Sequence, residues 1–568
     1  MIPARDAKAL ALGVLATLAL IAAPARAEVS ACAAATYQPA SQPPFGGDPT
    51  PPLERVRAMR GPPLGYELST GEAIAAAATA AAISAELEES PGAEPRAFTH
   101  GPCRWQIGWF DGKAEVARAA VDDRTGLVLE AWRGHQLGSE LARGYEGAVA
   151  QLVNAPYVWI PLCLLFLAPF FDPRRPGRLL HLDLLAILGL GASLFFFNRG
   201  EITASVALTY PVLAWVLGRM LWSGLRPRAR PGPLVPIVPV RWLAVAAVAL
   251  ALGRIALNVA DSQVIDVGVA GVVGADRITS GEELYEGEFS PGIDLRGDVY
   301  GPANYLAYVP FEAVFGWEGE WDEVPAAHAA AIAFDLLVVA GLLALGRRLR
   351  SGAAGRELGF ALAFAWLACP WTLYAMNANV NDALVAASLV GAMLALSRPV
   401  MRGAALAVGA AAKFGTVAVA PLFATAGGLR DRKGILLFAA GFGAACLLAF
   451  VPFLPGGGLG ELYDRTLGYQ AERGSPFSVW GLAPSLDFLQ APTRVAAVAL
   501  ALLLALAPGR RTPIQIAALA AAIIVAVQLG ATHWFYFYVV WFLPLYLVAA
   551  LGETVSSPSS SARPAAAR

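Results

Sequence analysis

Residues 261–285 read DSQVIDVGVAGVVGADRITSGEELY, and residues 298–311 read DVYGPANYLAYVPF. Long apolar runs, Val240–Ala260 and Ala326–Gly346, lie on either side. Carboxylates, prolines and aromatic residues between two runs of that length read as a loop, Asp261 to Pro325, held at one bilayer face. The flanking runs must then be helices, because in hydrocarbon a single segment satisfies its backbone hydrogen bonds only as a helix.

The rest of the chain agrees with this assignment. Of its 568 residues, 57% are hydrophobic and only 15% charged, with a mean hydropathy of +0.55. Soluble domains carry roughly 25% charged residues. The expected class is an all-α polytopic membrane protein with a small α+β domain outside the bilayer. The formal net charge of -1 gives no basic field for nucleic acid.

At the start, Arg5 and Lys8 precede the apolar run Ala9–Ala23, and Ala25-Arg26-Ala27 offers a cleavage site. Residues 1–27 therefore read as a signal peptide, with an uncleaved first span as the alternative. Either way residues 28–150 lie outside the cytoplasm, where a disulfide between Cys32 and Cys103 is plausible; Cys163, Cys369 and Cys446 fall in apolar runs. A loose Pro/Gly/Ala arm comes first. The capping box Ser69-Thr70-Gly71-Glu72 then predicts an Ala-rich helix to about Glu89. Strand-like runs follow at Trp105–Phe110, Glu115–Asp122 and Leu127–Trp132, with turns at Asp111-Gly112 and Asp123–Gly126.

Counting Arg and Lys in short loops orients the remainder. Arg174, Arg175, Arg178, Arg226, Arg228, Arg230, Arg347, Arg348, Arg350, Arg398, Arg402, Arg510 and Arg511 all fall on one side of about eleven spans. Three accessory helices occupy 151–240, the main membrane domain 241–552, and a disordered cytoplasmic tail 553–568. Two segments break the pattern. Ala303–Phe315 is too short and aromatic for a span and reads as a helix at the outer interface. Gly403–Gly428 has basic residues at both ends, so parity requires two half-length helices hinged near Lys413-Phe414-Gly415.

Polar clusters gather on the opposite, outward side: the acidic segment itself, Asn377-Ala378-Asn379-Val380-Asn381-Asp382, the run from Gln470 through Arg473 to Trp480, and His533 at the head of an aromatic belt. Asp382 and its asparagines either contact a polar ligand or cap the helix that starts at Ala383. Lys413 interrupts an apolar run and is either a functional group at membrane depth or a chain that snorkels to the cytoplasmic surface. Tyr300 either stacks on a ligand or anchors the interface helix. There is no H-E-x-x-H, Cys/His cluster or D-x-D triplet. No cofactor is indicated, although paired carboxylates leave room for a divalent cation.

Several of these motifs, taken in order, resemble the GT-C superfamily of membrane glycosyltransferases, and most closely the family 87-like group. They are Asp266-Val267-Gly268-Val269-Ala270 with Leu284-Tyr285; Tyr300-Gly301-Pro302; Asn377–Val385; Ala412-Lys413-Phe414-Gly415; Gln470–Gly481; and His533–Tyr538. The resemblance covers about Arg241 to Leu551. It implies transfer of a sugar from a polyprenyl phosphate to a glycan, lipid or protein acceptor of the cell envelope, at the outer face of the plasma membrane. It also implies that Asp266 is the general base, with Asp261 as second choice. Arg473 would bind phosphate, with Lys413, His533, Tyr300, Asn381 and Asp382 as further substrate contacts. Separately, the helix and three-strand meander of residues 28–150, with Ala120–Trp132 as its motif, resemble a PepSY-type domain over about seventy residues. The rival class is a transporter or flippase for a lipid-linked or small polar substrate, with residues 28–150 as its sensor.

Overall fold

The computed structural model describes residues 54–56, 61–99, 103–111, 114–133, 150–199, 201–226, 238–286, 289, 297–319, 324–472, 475, 477–507, 509 and 511–552. The expected signal peptide, the tail 553–568, Cys32 and Arg473 lie outside these residues.

The N-terminal module is an antiparallel sheet in the order β1 (Glu54–Val56), β2 (Glu94–Thr99), β3 (Arg104–Asp111), β4 (Ala114–Asp122), β5 (Val128–Arg133). Helices α1 (Thr70–Ala78) and α2 (Ala81–Glu89) replace the single helix expected from the sequence. The capping box at Ser69 and Glu72 is present. Strands β1 and β2 were not expected, because Glu54–Val56 is short and Glu94–Thr99 contains Pro95. In the Asp-rich turn, Asp122 accepts from Thr125 N–H (2.8 Å) and Thr125 hydroxyl (2.7 Å). Its neighbour Asp123 points inward and accepts from Trp105 Nε1 and the Glu67 and Leu68 amides. Cys103 is disulfide-bonded, whereas Cys163, Cys369 and Cys446 are free.

The remainder is a helical membrane domain. Among the described residues, six helices are long and apolar enough to cross a bilayer, or seven if one bent pair counts as a span. They include α3 (Leu179–Phe197), α4 (Ile202–Leu225), α5 (Val240–Ala260) and α8 (Pro325–Leu349). The bent pair is α9 (Gly352–Ala368) and α10 (Pro370–Asn377), which meet at 58°. Pro370 enforces that break, since the residue before proline is driven out of helical geometry and Cys369 is extended. Carbonyls freed by the break find partners. Thr372 Oγ1 donates to Trp366 O at 2.6 Å, and Arg254 donates to Leu367 O at 3.0 Å. Asp335, 2.7 Å from Arg254, balances the buried guanidinium.

The segment between the two runs contains the expected helix, α7 (Pro302–Phe315), and an unexpected one, α6 (Asp266–Ser280). They pack side by side, and glycines every third residue on α6 make the approach close. A Cβ on Gly271 would stand 2.5 Å from the Tyr308 ring, and one on Gly274 would stand 2.1 Å from Tyr305. Rather than merely lying at an interface, α7 buries Asn304, Tyr305, Tyr308 and Glu312 against its neighbours.

After α11 (Asp382–Leu394), helix α12 (Pro399–Ala412) leads to Lys413, where the chain turns back through a tight 3-10 stretch, Phe414–Val419, into Ala420–Ala424. Arg402 near the start of α12 reaches Ala424 O, so the two limbs end together and the turn at Lys413 is the tip. Then come α13 (Arg432–Phe450), α14 (Asp487–Leu506), α15 (Pro513–Leu529) and α16 (Val539–Gly552). Arginines knit one end of the bundle: Arg348 to Ser397 Oγ, Arg350 to Gly552 O, and Arg511 to Thr425 O. The tip at Lys413 lies at the other end.

Gly274→Ala should lose about 1–3 kcal/mol of stability through overpacking against Tyr305. Thermal unfolding of purified protein in detergent will read it as a lowered midpoint.

Candidate functional site

At the end of the bundle opposite Arg348, Arg350 and Arg511 is a cavity of about 290 Å³. Its wall includes Asp266, Tyr300, Asp382, Lys413, Gln470, Arg494, Gln528, Thr532, His533 and Trp541. Segments far apart in the chain supply them.

Asp266 opens α6, where the unpaired amides of the first helical turn favour a negative charge. One carboxylate oxygen accepts from the Val267 amide at 2.8 Å. The side chain is half-buried at the cavity wall.

Opposite charge comes from the tip of the α12 turn. Lys413 Nζ lies 2.8 Å from Asp382 Oδ1, and both side chains are buried. The same oxygen accepts from Trp541 Nε1 at 2.5 Å. The ammonium also sits 5.7 Å from the Tyr300 ring centroid and 5.6 Å from that of Trp541, within cation–π range. This geometry excludes one of the two alternatives that the sequence left open at each residue. Lys413 does not snorkel to the arginine end, because its carboxylate partner is within reach at the cavity. Asp382 does not cap its helix: it is the first helical residue, the N-cap is Asn381, and no side-chain cap bond forms there. Its charge is spent on Lys413 and Trp541 instead.

The Tyr300 backbone is held by two buried phenols. Tyr285 donates to Tyr300 O at 2.7 Å; Tyr305 accepts from the Tyr300 amide and donates to Gly297 O. Burial, and then the nearby Asp298 carboxylate, raise the Tyr285 pKa, so the phenol stays a donor. Gly301 donates to Ala412 O, and a Cβ there would stand 2.0 Å from Ala411 O. Only glycine permits that approach, which sets Tyr300 against Lys413.

A helix spanning 458–472 brings Leu467 and Gln470 to the wall, through a π-helical stretch at Asp464–Gly468. Such stretches recur at functional sites. Arg465 within it pairs at 2.8 Å with Asp298 and at 2.8 Å with Glu461. Burial lowers its pKa, but the two carboxylates outweigh that and leave it raised.

His533 Nδ1 shares a 2.8 Å hydrogen bond with Ser475 Oγ, and its ring packs near Phe477 and Tyr538. Arg494 donates to Gly530 O and Thr532 Oγ1, both at 3.0 Å, from the cavity rim.

Five of the residues singled out in the sequence therefore share one cavity: Asp266, Tyr300, Asp382, Lys413 and His533. Two do not line it. Asp261 is exposed at the end of α5, where its carbonyl accepts from Asn377 Nδ2. Asn381 is buried beneath the wall and donates to Asn304 Oδ1 at 2.5 Å. Arg494, Gln528 and Trp541 escaped the sequence analysis, whereas Gln470, which opens the polar run to Trp480 singled out there, does line the cavity. Gln528 alone carried a signal, a polar residue near the end of an otherwise apolar helix. Among the described residues no group of three or more His, Cys, Asp or Glu is arranged to hold a metal.

Lys413→Met leaves Asp382 buried without its cation and should cost about 3–5 kcal/mol, the usual penalty for half a buried ion pair. Adding Asp382→Asn should recover part of that loss, read by thermal unfolding of both variants. No protein-family model matches this chain, and neither a curated protein nor a solved structure does.

Proposed function

We propose that the cavity is the active site of a membrane glycosyltransferase that moves a sugar from a polyprenyl phosphate to an acceptor hydroxyl. The observation that carries this reading is the convergence of Asp266, Lys413 and His533, drawn from distant segments, on one cavity at the arginine-poor end of the bundle. By the distribution of basic residues that end faces outward. The ordered motifs that resemble the GT-C superfamily contribute most of this wall.

The chemistry needs a base near the attacking hydroxyl and positive charge where the phosphate departs. Asp266 takes the acceptor proton as the hydroxyl oxygen attacks the anomeric carbon. The bond from that carbon to the phosphate oxygen breaks, and its electron pair remains on the phosphate. Lys413 and Arg494 stabilise the departing charge, with Arg473 as a further phosphate partner expected from the sequence. Tyr300 and Trp541 offer aromatic faces to the sugar. One direct displacement inverts the anomeric centre. The prenyl tail lies along the exposed apolar side of the bundle, near Phe414 and Phe450, whose rings stack 6.3 Å apart.

A transporter would need unpaired charge in a central passage. Charges within the long helices are instead committed to each other, as in Arg254–Asp335 and Arg219–Asp183.

Membranes containing the protein should transfer label from a radiolabelled polyprenyl-phosphate sugar to an endogenous acceptor. Asp266→Asn should lower that transfer by about 100-fold or more, the scale of general-base loss, with membrane insertion unchanged. Undiminished transfer by this variant refutes the assignment.

A further inference from the structure

Asn379 is one of three non-glycine described residues with positive φ, at +52°, and it is fully buried. Asparagine tolerates this left-handed conformation better than most residues, and such positions often mark functional constraint. All of its side-chain bonds run to one neighbouring stretch. Nδ2 donates to Ser262 Oγ at 3.1 Å and to Gln263 O at 2.9 Å, while Oδ1 accepts from Asn258 Nδ2 at 2.8 Å. Those partners form the link from the end of α5 to Asp266.

Asn377 and Ala378 in the same turn grip the same link. Asn377 Nδ2 donates to Asp261 O at 2.7 Å, Gln263 N–H to Asn377 O at 3.4 Å, and Ile265 N–H to Ala378 O at 3.5 Å. His328 Nδ1 supports it from α8, 3.1 Å from Ser262 Oγ and 3.2 Å from Asn258 Oδ1. From the far side, Gly268 lets α6 close down: a Cβ there would stand 2.6 Å from Asn379 O. Three residues beyond Asn379, Asp382 takes Lys413.

We infer that Asn379 is a positioning residue: its side chain brackets residues 258–263 so that Asp266 enters the cavity at a fixed separation from the Lys413–Asp382 pair. One rigid turn thereby sets both the base and the cation. This rests on the transferase reading for its kinetic consequence, though not for the bracket itself. A carboxylate displaced by about 1 Å loses the alignment that proton abstraction requires. The bracket touches no substrate, so its loss falls on the rate and not on binding.

Three full-length variants test it. Asn379→Asp keeps size but replaces the two donors. Ser262→Ala removes one acceptor with little change of volume. Gly268→Ala presses on Asn379 O from the opposite side. With radiolabelled polyprenyl-phosphate sugar, kcat is expected to fall 10- to 100-fold for Asn379→Asp and Gly268→Ala, and several-fold for Ser262→Ala. KM for the donor should stay within about twofold of the parent. Amide hydrogen exchange at residues 262–267 should accelerate in all three, with α8 and α15 unchanged. Parental kcat in folded Asn379→Asp, or unaltered exchange at 262–267, overturns the inference. A general loss of structure would appear as faster exchange across α8 and α15, and would likewise overturn it in favour of a purely structural role. If the parent itself shows no turnover, the transferase reading fails, and exchange at 262–267 alone decides the bracket.

Discussion

Asp382 holds its carboxylate at 1% exposure, beside an ammonium and an indole N–H that share one of its oxygens. Burying that charge unpaired would cost several kcal/mol, so three segments must meet wherever the first turn of α11 is placed. Lys413 has to come from the tip of the α12 turn, and Trp541 from the first turn of α16. Each of these arrives with its own neighbour: Tyr300 beside Lys413, Tyr538 beside Trp541. The cavity is what remains between segments drawn together on one anion.

Close backbone approach completes the arrangement. Gly301 lies against the Ala411 and Ala412 carbonyls, and Gly268 against the Asn379 carbonyl. Gly271 and Gly274 take the rings of Tyr308 and Tyr305. In a membrane, where helices gain little from hydrophobic exclusion, small residues at the contact let dispersion and hydrogen bonds hold them together. Those contacts tie α6, α7 and the tip of α12 into one wall. A residue such as Asp266 can then stay half-exposed to the cavity while its backbone is fixed.

Much of this organisation was legible in the sequence. Basic residues on both sides of Gly403–Gly428 required the chain to reverse, and the polar interruption at Lys413 marked where. Ser69 and Glu72 announced the first helix of the N-terminal module. Other features were concealed for identifiable reasons. Residues 266–280 looked like a loop because Gly268, Gly271 and Gly274 lower helix propensity; the same spacing is the stripe on which α7 packs. Pro95 obscured strand β2. Arg494 and Trp541 belong to no pattern, since only the packing of distant helices brings them to the cavity wall.

Hydropathy, charge and local turn chemistry are properties of short stretches, so the sequence alone determined that this is a helical membrane protein with a small α+β module, and that polar groups concentrate away from the arginines. Pairing between remote stretches is a different kind of quantity. Asp382 as a cap and Asp382 as a counter-ion are equivalent over ten residues; the choice depends on Lys413, thirty-one positions later, and on Trp541. Likewise Asp261 and Asp266 are both acidic residues near the end of a span. Only the tertiary structure, through the bonds of residues 377–379 to the backbone between them, turned one to the cavity and left the other in solvent.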